Sequence, residues 1–578
     1  MNAVYDSRIL NLVIFSPLFV AGLVAFLPRG EKGQIRAITF LGMVGNLLAC
    51  VWAWTRFEPR SFQEFQLEFR MEWLPELGLS YHVGVDGLAM ALVLLTGIMG
   101  PLVVLSSWTF IDERVKEFHL SLLVLQTAML GTLCAVDMLV FYVFFEAMLI
   151  PMYLLIGVWG SEERQMAAVK FFLYTLAGSV LMLVALLAIY FMAAPAGARS
   201  FDYATVYNGL MSANRELGVY VAANPGGDGG GLSALAFSLF TYGPWLFLAF
   251  AVAFAIKVPM FPFHTWLPDA HVQAPVAGSM VLAGVMLKMG TFGFWRFAMP
   301  LFPVAARQFQ FALAVLSVVG IVYGALMSLA QRDIKKLIAY SSVSHLGYCM
   351  LGMMALTPEG ATGSAYQMLN HGVSTGALFL LFGFLYERRH ARLMSDYGGI
   401  AKVMPVFAAL FLIVTFSSVA VPGTNGFVGE FLVLLGTFKS DLKWGLGLGA
   451  VAGTGVILGA SYMLWMVQKV FFGRVTHQEN LALHDLNRRE VLAAVPFIVL
   501  IVVMGLAPQP ILNVLNHSTT RYVARTKLGA PASSEDDRRL KVYVRNLPEP
   551  LAQRAPTDGA SPTREPLLVR PMPPPAVP

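Results

Sequence analysis

"FAIKVPMFPFHTWLPDAH", residues 254–271, decides how the chain is read. Lys257 closes an apolar run that begins near Trp245, and Pro259 and Pro262 follow within five positions. A proline removes a backbone donor and clashes with the turn before it, so a helix through this stretch breaks beside the lysine. Irregular backbone at membrane depth survives only where it is buried in protein or lines a hydrated cavity. If the run crosses a bilayer, the break marks an internal polar path.

Composition places the run in a bilayer. The 578 residues are 57% hydrophobic and 13% charged, with mean hydropathy +0.66, outside the balance of a soluble globular chain. Apolar windows of the roughly 20 residues that a spanning helix needs recur from near residue 8 to near residue 513. About fourteen can be delimited, at 8–28, 36–56, 85–108, 119–136, 138–159, 167–193, 244–263, 273–298, 308–330, 334–356, 364–386, 405–437, 445–472 and 491–513. The expected fold is an all-α polytopic membrane protein of about 14 transmembrane helices. The first window, Ile9 to Leu27, reads as a retained span because charge precedes it and no small-residue cleavage site follows.

Cys50, Cys134 and Cys349 lie in separate apolar segments, with no spacing that suggests a disulfide framework, a zinc site or an iron–sulfur cluster. The net charge of +6 fits basic loops and a basic tail, and points to the lipid bilayer as partner rather than to nucleic acid. Lysine and arginine are denser in the odd-numbered loops (Arg29, Lys32, Arg36, Arg114, Lys116, Arg332, Lys335, Lys336) than in the even-numbered ones, where Arg56, Arg296 and Lys439 fall. The positive-inside rule then makes the odd loops cytoplasmic and puts both termini on the other side. Two stretches read as unfolded surface: the loop 196–240, with "NPGGDGGG", and the proline-rich charged tail from 514, taken as extended. No GK[ST] follows the glycines, so they are no phosphate loop.

A charge at mid-bilayer costs several kcal/mol, roughly 2.5–3.5 on insertion scales, so ionisable residues deep in a span are functional candidates. Four stand out: Glu146 in "FYVFFEAMLIPMYLLIG", Lys257, Lys288 in "GSMVLAGVMLKMGTFGFW" and Glu430 in "SSVAVPGTNGFVGEFLVLLG". Each alone admits a duller reading, as a lysine that snorkels to the headgroups or a pair that fixes helix packing. Two acids and two bases in separate spans favour a polar pathway. His345 and His371 lie within spans and suit a relay, because imidazole titrates in the physiological range. His264 and His271 flank the seventh and eighth spans and either join the relay or only order the loop.

"VPGTNGFVGE" should break the twelfth helix before Glu430, as "KVPMFP" breaks the seventh. If one unit runs from the fourth to the eighth span and another from the ninth to the thirteenth, each broken helix is fourth in its unit. Units of five insert with opposite orientation, the inverted-repeat pattern of transporters. The expected divisions are 1–118 for helices 1–3, 119–300 and 301–475 for the two repeats, 476–513 for helix 14, and 514–578 for the tail.

The stretches "FEAMLIPMYLLIGVWG", "KVPMFPFHTWLPDAHVQAPVAGSMVLAGVMLKMG", "RDIKKLIAYSSVSHLG" and "PGTNGFVGEFL" resemble the antiporter-like membrane subunits of respiratory complex I, NADH:quinone oxidoreductase, over about residues 80–510. "FEAMLIPMY" is most similar to the chain M branch, the counterpart of mitochondrial subunit 4. The resemblance implies a fourteen-helix proton-translocating subunit in the membrane arm of a bacterial inner membrane, with antiporter-like chains L and N on either side. It implies no cofactor in this chain: NADH, FMN, the iron–sulfur clusters and quinone belong to partner subunits. The family's fifth-helix glutamate falls on Glu146, its seventh- and eighth-helix lysines on Lys257 and Lys288, its twelfth-helix acid on Glu430, and its central histidines on His345 and His371. The glycine-rich loop and the tail depart from the shorter family members.

An apolar surrounding favours the neutral amine of a lysine and a close carboxylate favours its ammonium. Withdrawal of Glu146 should therefore release a proton from Lys257 toward Lys288, then through His345 and His371 to Glu430. The alternatives are a subunit of a multi-subunit cation/proton antiporter or of an energy-converting hydrogenase, and a non-transporting scaffold.

Overall fold

The computed structural model describes residues 8–61, 63–193 and 199–527. Helices α1 (Ile9–Phe26), α2 (Lys32–Arg56), α3 (Gly87–Ser106) and α4 (Val115–Cys134) precede α5 (Met138–Trp159), which steps at Met148, and α6 (Arg164–Met192). Helix α7 (Tyr203–Ala223) leads to α8 (Ala234–Lys257), the short α9 (Trp266–Gln273) and α10 (Val276–Leu301). Then come α11 (Pro303–Leu329), α12 (Ile334–Met354), α13 (Pro358–Arg389), α14 (Pro405–Ser418), α15 (Asn425–Phe438), α16 (Gly445–Phe471), α17 (Arg488–Leu506) and α18 (Gln509–Thr526).

Twelve of these are long and apolar enough to cross a membrane. The expected seventh-helix break is present: α8 ends at Lys257 and the chain resumes helix only at Trp266. The twelfth-helix break is present too, dividing α14 from α15 between Ser418 and Asn425. Because each half of that helix is only 14 residues long, neither meets the length of a span alone. Helices α10 and α13 are enclosed on all sides, and α13 packs against α3, α10, α12, α14, α15, α17 and α18. Around them α1, α2, α6, α16 and α17 turn apolar side chains such as Phe19, Leu48, Leu173, Ile457 and Leu492 outward. That is the inverse of a soluble core, as expected where lipid tails surround the protein and polar groups must be satisfied inside.

Several features differ from the sequence reading. To the mainly helical fold the structure adds an antiparallel hairpin, Gln66–Leu74 (β1) with Leu79–Val85 (β2). Its turn contains Gly78 at φ +62°, where a Cβ would strike the carbonyl oxygen of Arg199. The stretch 196–240 is not an unfolded loop: α7 occupies Tyr203–Ala223, α8 starts at Ala234, and the glycines fill only the turn between them. Asp202 caps α7 by accepting from the Thr205 amide, and the helix buries Tyr203, Val206, Leu210 and Leu217 on one side, a stripe at helical spacing. The start of the expected extended tail is also helical, since α18 runs to Thr526. The rest of the tail lies outside the described residues.

His82 on β2 ties the hairpin to α7. Its Nδ1 lies 2.5 Å from Asp202 Oδ2 and its Nε2 3.4 Å from Glu68 Oε2, while Val136 donates to the His82 carbonyl at 2.9 Å. Burial opposes a charge on the ring, but the two carboxylates outweigh it and hold the pKa up at about 9, from 6.5. A raised folded-state pKa contributes stability fully present below about 6.5 and lost as pH rises through about 9. Amide exchange in residues 66–85 should therefore accelerate between pH 6.5 and 9 beyond the intrinsic rate, and Asp202→Asn should reduce that excess, leaving only the part due to Glu68. A pH profile identical in the variant would contradict the account.

Candidate functional site

Glu430, on α15, is 4% exposed. Its Oε1 accepts from Gln367 Nε2 at 3.0 Å and lies 3.0 Å from His345 Nδ1. Asn370 Nδ2 donates to Gln367 Oε1 at 3.1 Å, holding the amide toward the acid. This proximity needs Gly429, since a Cβ there would lie 2.6 Å from Asn370 Nδ2. The His345 and His371 rings are 6.0 Å apart between centroids. His371 Nδ1 is 2.7 Å from Lys288 Nζ; an ammonium has no acceptor, so there Nδ1 accepts.

Lys288, fully buried, owes its second partner to the local backbone. Residues Leu282–Met286 make a wide π-helical turn, and Lys288 Nζ donates to the Ala283 carbonyl within it. Such turns leave backbone carbonyls for other donors and recur at functional sites. Lys288, His371, His345 and Glu430 thus succeed one another through the enclosed centre of the fold.

At the other end, Lys257 is 2% exposed and its Nζ has no hydrogen-bond partner among the described residues. It faces the rings of Phe145 at 4.8 Å and Phe171 at 5.8 Å. Glu146 is half-buried beside the step in α5, and its Oε1 has no hydrogen-bond partner among the described residues. The expected break beside Lys257 does free carbonyls, but protein groups take some of them. Trp266 Nε1 donates to Ile256 O at 2.9 Å, and the Met260 amide to Ala255 O at 2.8 Å.

The break before Glu430 is held by side chains. Ser417 Oγ donates to Asn425 Oδ1 at 2.5 Å and is 2.5 Å from Ser374 Oγ, linking both half-helices to α13. Ser418 Oγ approaches His345 Nε2 at 3.4 Å.

Among the described residues, the other two histidines make no hydrogen bond to this succession. His264 packs against Phe261 and Tyr323, with ring centroids at 5.7 and 5.0 Å. His271 stacks on Phe379 at 4.6 Å, and neither of its ring nitrogens has a hydrogen-bond partner among the described residues.

Two basic residues assigned to loops are interior. Arg296 is 4% exposed and pairs with Asp86 at 2.9 Å. Lys335 is buried and donates to Ala274 O at 2.6 Å and Val272 O at 3.3 Å. Lys335 and Phe379 line a pocket of about 300 Å³ with Glu162 and Arg392. Gln367, Asn370, Ser374 and Asn425 were not singled out from sequence. The signal was present for three of them: Gln367, Asn370, His371 and Ser374 recur at three- and four-residue steps in an otherwise apolar window, one face of a helix.

The model of the NADH:quinone oxidoreductase/Mrp antiporter transmembrane family matches residues 135–457. The chain belongs to that family. The matched span of this antiporter-family chain holds Glu146, Lys257, Lys288, His345, His371 and Glu430 together. Among its relatives is NADH-quinone oxidoreductase subunit M of Rhodobacter capsulatus, 41% identical over 523 residues, 89% of this chain and 96% of that protein. NADH-ubiquinone oxidoreductase chain 4 of Marchantia polymorpha is 37% identical, over 90% and 97%. A chain of respiratory complex I from Thermus thermophilus superposes with TM-score 0.76 at 32% identity, covering 90% of this chain and all of that one. A chain of the Mrp complex from Dietzia sp. shares the antiporter-family fold, with TM-score 0.74 at 19% identity over 90% and 98%.

Proposed function

We propose that the chain is a proton-translocating membrane-arm subunit of NADH:quinone oxidoreductase, driven by redox chemistry in partner subunits. The observation that carries this reading is the buried succession of Lys288, His371, His345 and Glu430. Each member can hold or release a proton, and among the described residues none is ion-paired with an arginine. Glu146 sets the charge on Lys257 by its distance. In an environment of effective dielectric near 20, unit charges 4 Å apart interact by about 4 kcal/mol, enough to change an equilibrium roughly a thousandfold. Moving Glu146 away discharges Lys257 toward Lys288; the proton then passes His371 and His345 to Glu430, and return of Glu146 recharges Lys257 from the loop side.

In this reading 119–300 and 301–475 are inverted five-helix repeats, bracketed by 1–118, helix 14 in 476–513 and the tail 514–578. Fourteen spans result if α12 and the α14–α15 pair are added to the twelve long helices. The chain sits in a bacterial inner membrane with both termini on the non-cytoplasmic side, between antiporter-like chains L and N. NADH, FMN, iron–sulfur clusters and quinone are held by partner subunits. His264 is assigned no transfer step; its ring packs against Phe261 and Tyr323.

The test is Glu430→Gln in the purified complex reconstituted into vesicles. Glutamine keeps the neighbours of Gln367 and His345 but carries no titrating proton, so NADH-driven proton release should fall with thermal stability preserved. Full proton release by this variant would overturn the reading. Proton release driven by a sodium gradient without NADH would assign the chain to a cation/proton antiporter instead.

A further inference from the structure

Four helix ends converge on a basic pocket that the transfer reading does not use. It lies where α1 ends, where α2 and α4 begin and where α5 ends, and has a volume of about 630 Å³. Arg29, Lys32, Arg114 and Lys116 line it against one acid, Glu117. Asp112 is outside the lining and is engaged by Lys32 at 2.9 Å and Arg36 at 3.3 Å. Lys116 is fixed: its Nζ donates to Ala25 O at 2.7 Å and Leu27 O at 2.8 Å at the end of α1. An ammonium has three donors, so one is left for a ligand. Arg29 pairs with Glu117 at 2.7 Å yet its side chain is 81% exposed, leaving most of the guanidinium open. The remaining wall is mainly apolar, made by Val115, Leu154, Val158 and Trp159 with one hydroxyl, Ser121. It continues onto outward-facing Leu154, Leu23 and Phe26 on the helix flanks.

We propose that this pocket binds an anionic glycerophospholipid, with its phosphate between Arg29, Arg114 and Lys116 and its acyl chains along Leu154 and α1. The paired chemistry selects that ligand. Basic pockets between helix ends at a membrane surface hold anionic headgroups, whereas a free phosphate would gain nothing from the apolar wall. Long-chain basic residues at helix ends also place their aliphatic stems against lipid while their charges stay at the surface.

The experiment uses the purified complex reconstituted with photoactivatable phosphatidylglycerol or photoactivatable phosphatidylcholine, with adducts mapped to residues 110–121 and 150–160. The phosphatidylglycerol adducts should exceed those of phosphatidylcholine. The double variant Arg29→Gln/Arg114→Gln should weaken phosphatidylglycerol capture there roughly thirtyfold, the equivalent of about 1 kcal/mol per charge removed. Arg29→Lys/Arg114→Lys should retain it, which separates charge from folding. Equal adduct yield from the two lipids, or unchanged capture in the glutamine variant, would overturn the proposal. Competition by inorganic phosphate alone would overturn it as well, by assigning the pocket to a free anion.

Discussion

Glu490→Ala is expected to destabilise the chain by about 3 kcal/mol, at the lower end of the cost of breaking a buried ion pair from one side. Glu490 is 2% exposed at the start of α17. It receives two bonds from Arg388, at 2.9 and 2.6 Å, the fork geometry that makes arginine–carboxylate pairs strong. Its carboxylate also accepts from the Asn487 amide at 2.9 Å, completing a capping box. Truncation removes both and leaves the guanidinium without its carboxylate. The cost stays at the low end because Arg388 keeps the carbonyls of Phe384, His484 and Asp485. Arg388 ends α13, which carries His371 and Gln367, so the loss also loosens the helix at the centre of the site. Thermal denaturation of the detergent-solubilised complex measures it, and Glu490→Gln should lose less because the amide oxygen still accepts. A variant as stable as the parent would show that the pair contributes nothing.

The spans were legible because hydropathy over twenty residues is a strong local signal, and the two breaks because proline and glycine act on the backbone next to them. Glu146, Lys257, Lys288 and Glu430 were legible because charge is so costly in hydrocarbon. What escaped the sequence is what depends on angle and on partners far along the chain. Lys335 and Lys336 are adjacent, yet a single helical step of about 100° buries the first and leaves the second less enclosed. Arg296 read as a loop charge because its partner, Asp86, is more than two hundred positions away. The hairpin 66–85 was hidden by its exposed strand, where Met71, Trp73 and Leu74 face outward and blur the alternation that marks a half-buried sheet. Helix α7 was masked by the glycines just after it.

Lys257→Ala carries the larger functional effect. Among the described residues the amine has no hydrogen-bond partner, and it faces the rings of Phe145 and Phe171. The complex should therefore still assemble, and Lys257→Met, which fills the same space, separates any cavity cost from the loss of the titrating group. In the proposed mechanism, loss of the amine leaves Glu146 with nothing to charge or discharge and removes the donor for transfer toward Lys288. A positioned proton-transfer group contributes about 10²–10⁴ to the rate of its step, so proton movement through this chain should fall by that order. The scaffold reading expects reduced stability with pumping intact.

The most direct test is the number of protons released per NADH oxidised by vesicles holding the assembled Lys257→Met complex. The account predicts a lower ratio than the parent's with subunit content unchanged; a ratio equal to the parent's in a fully assembled complex would contradict it.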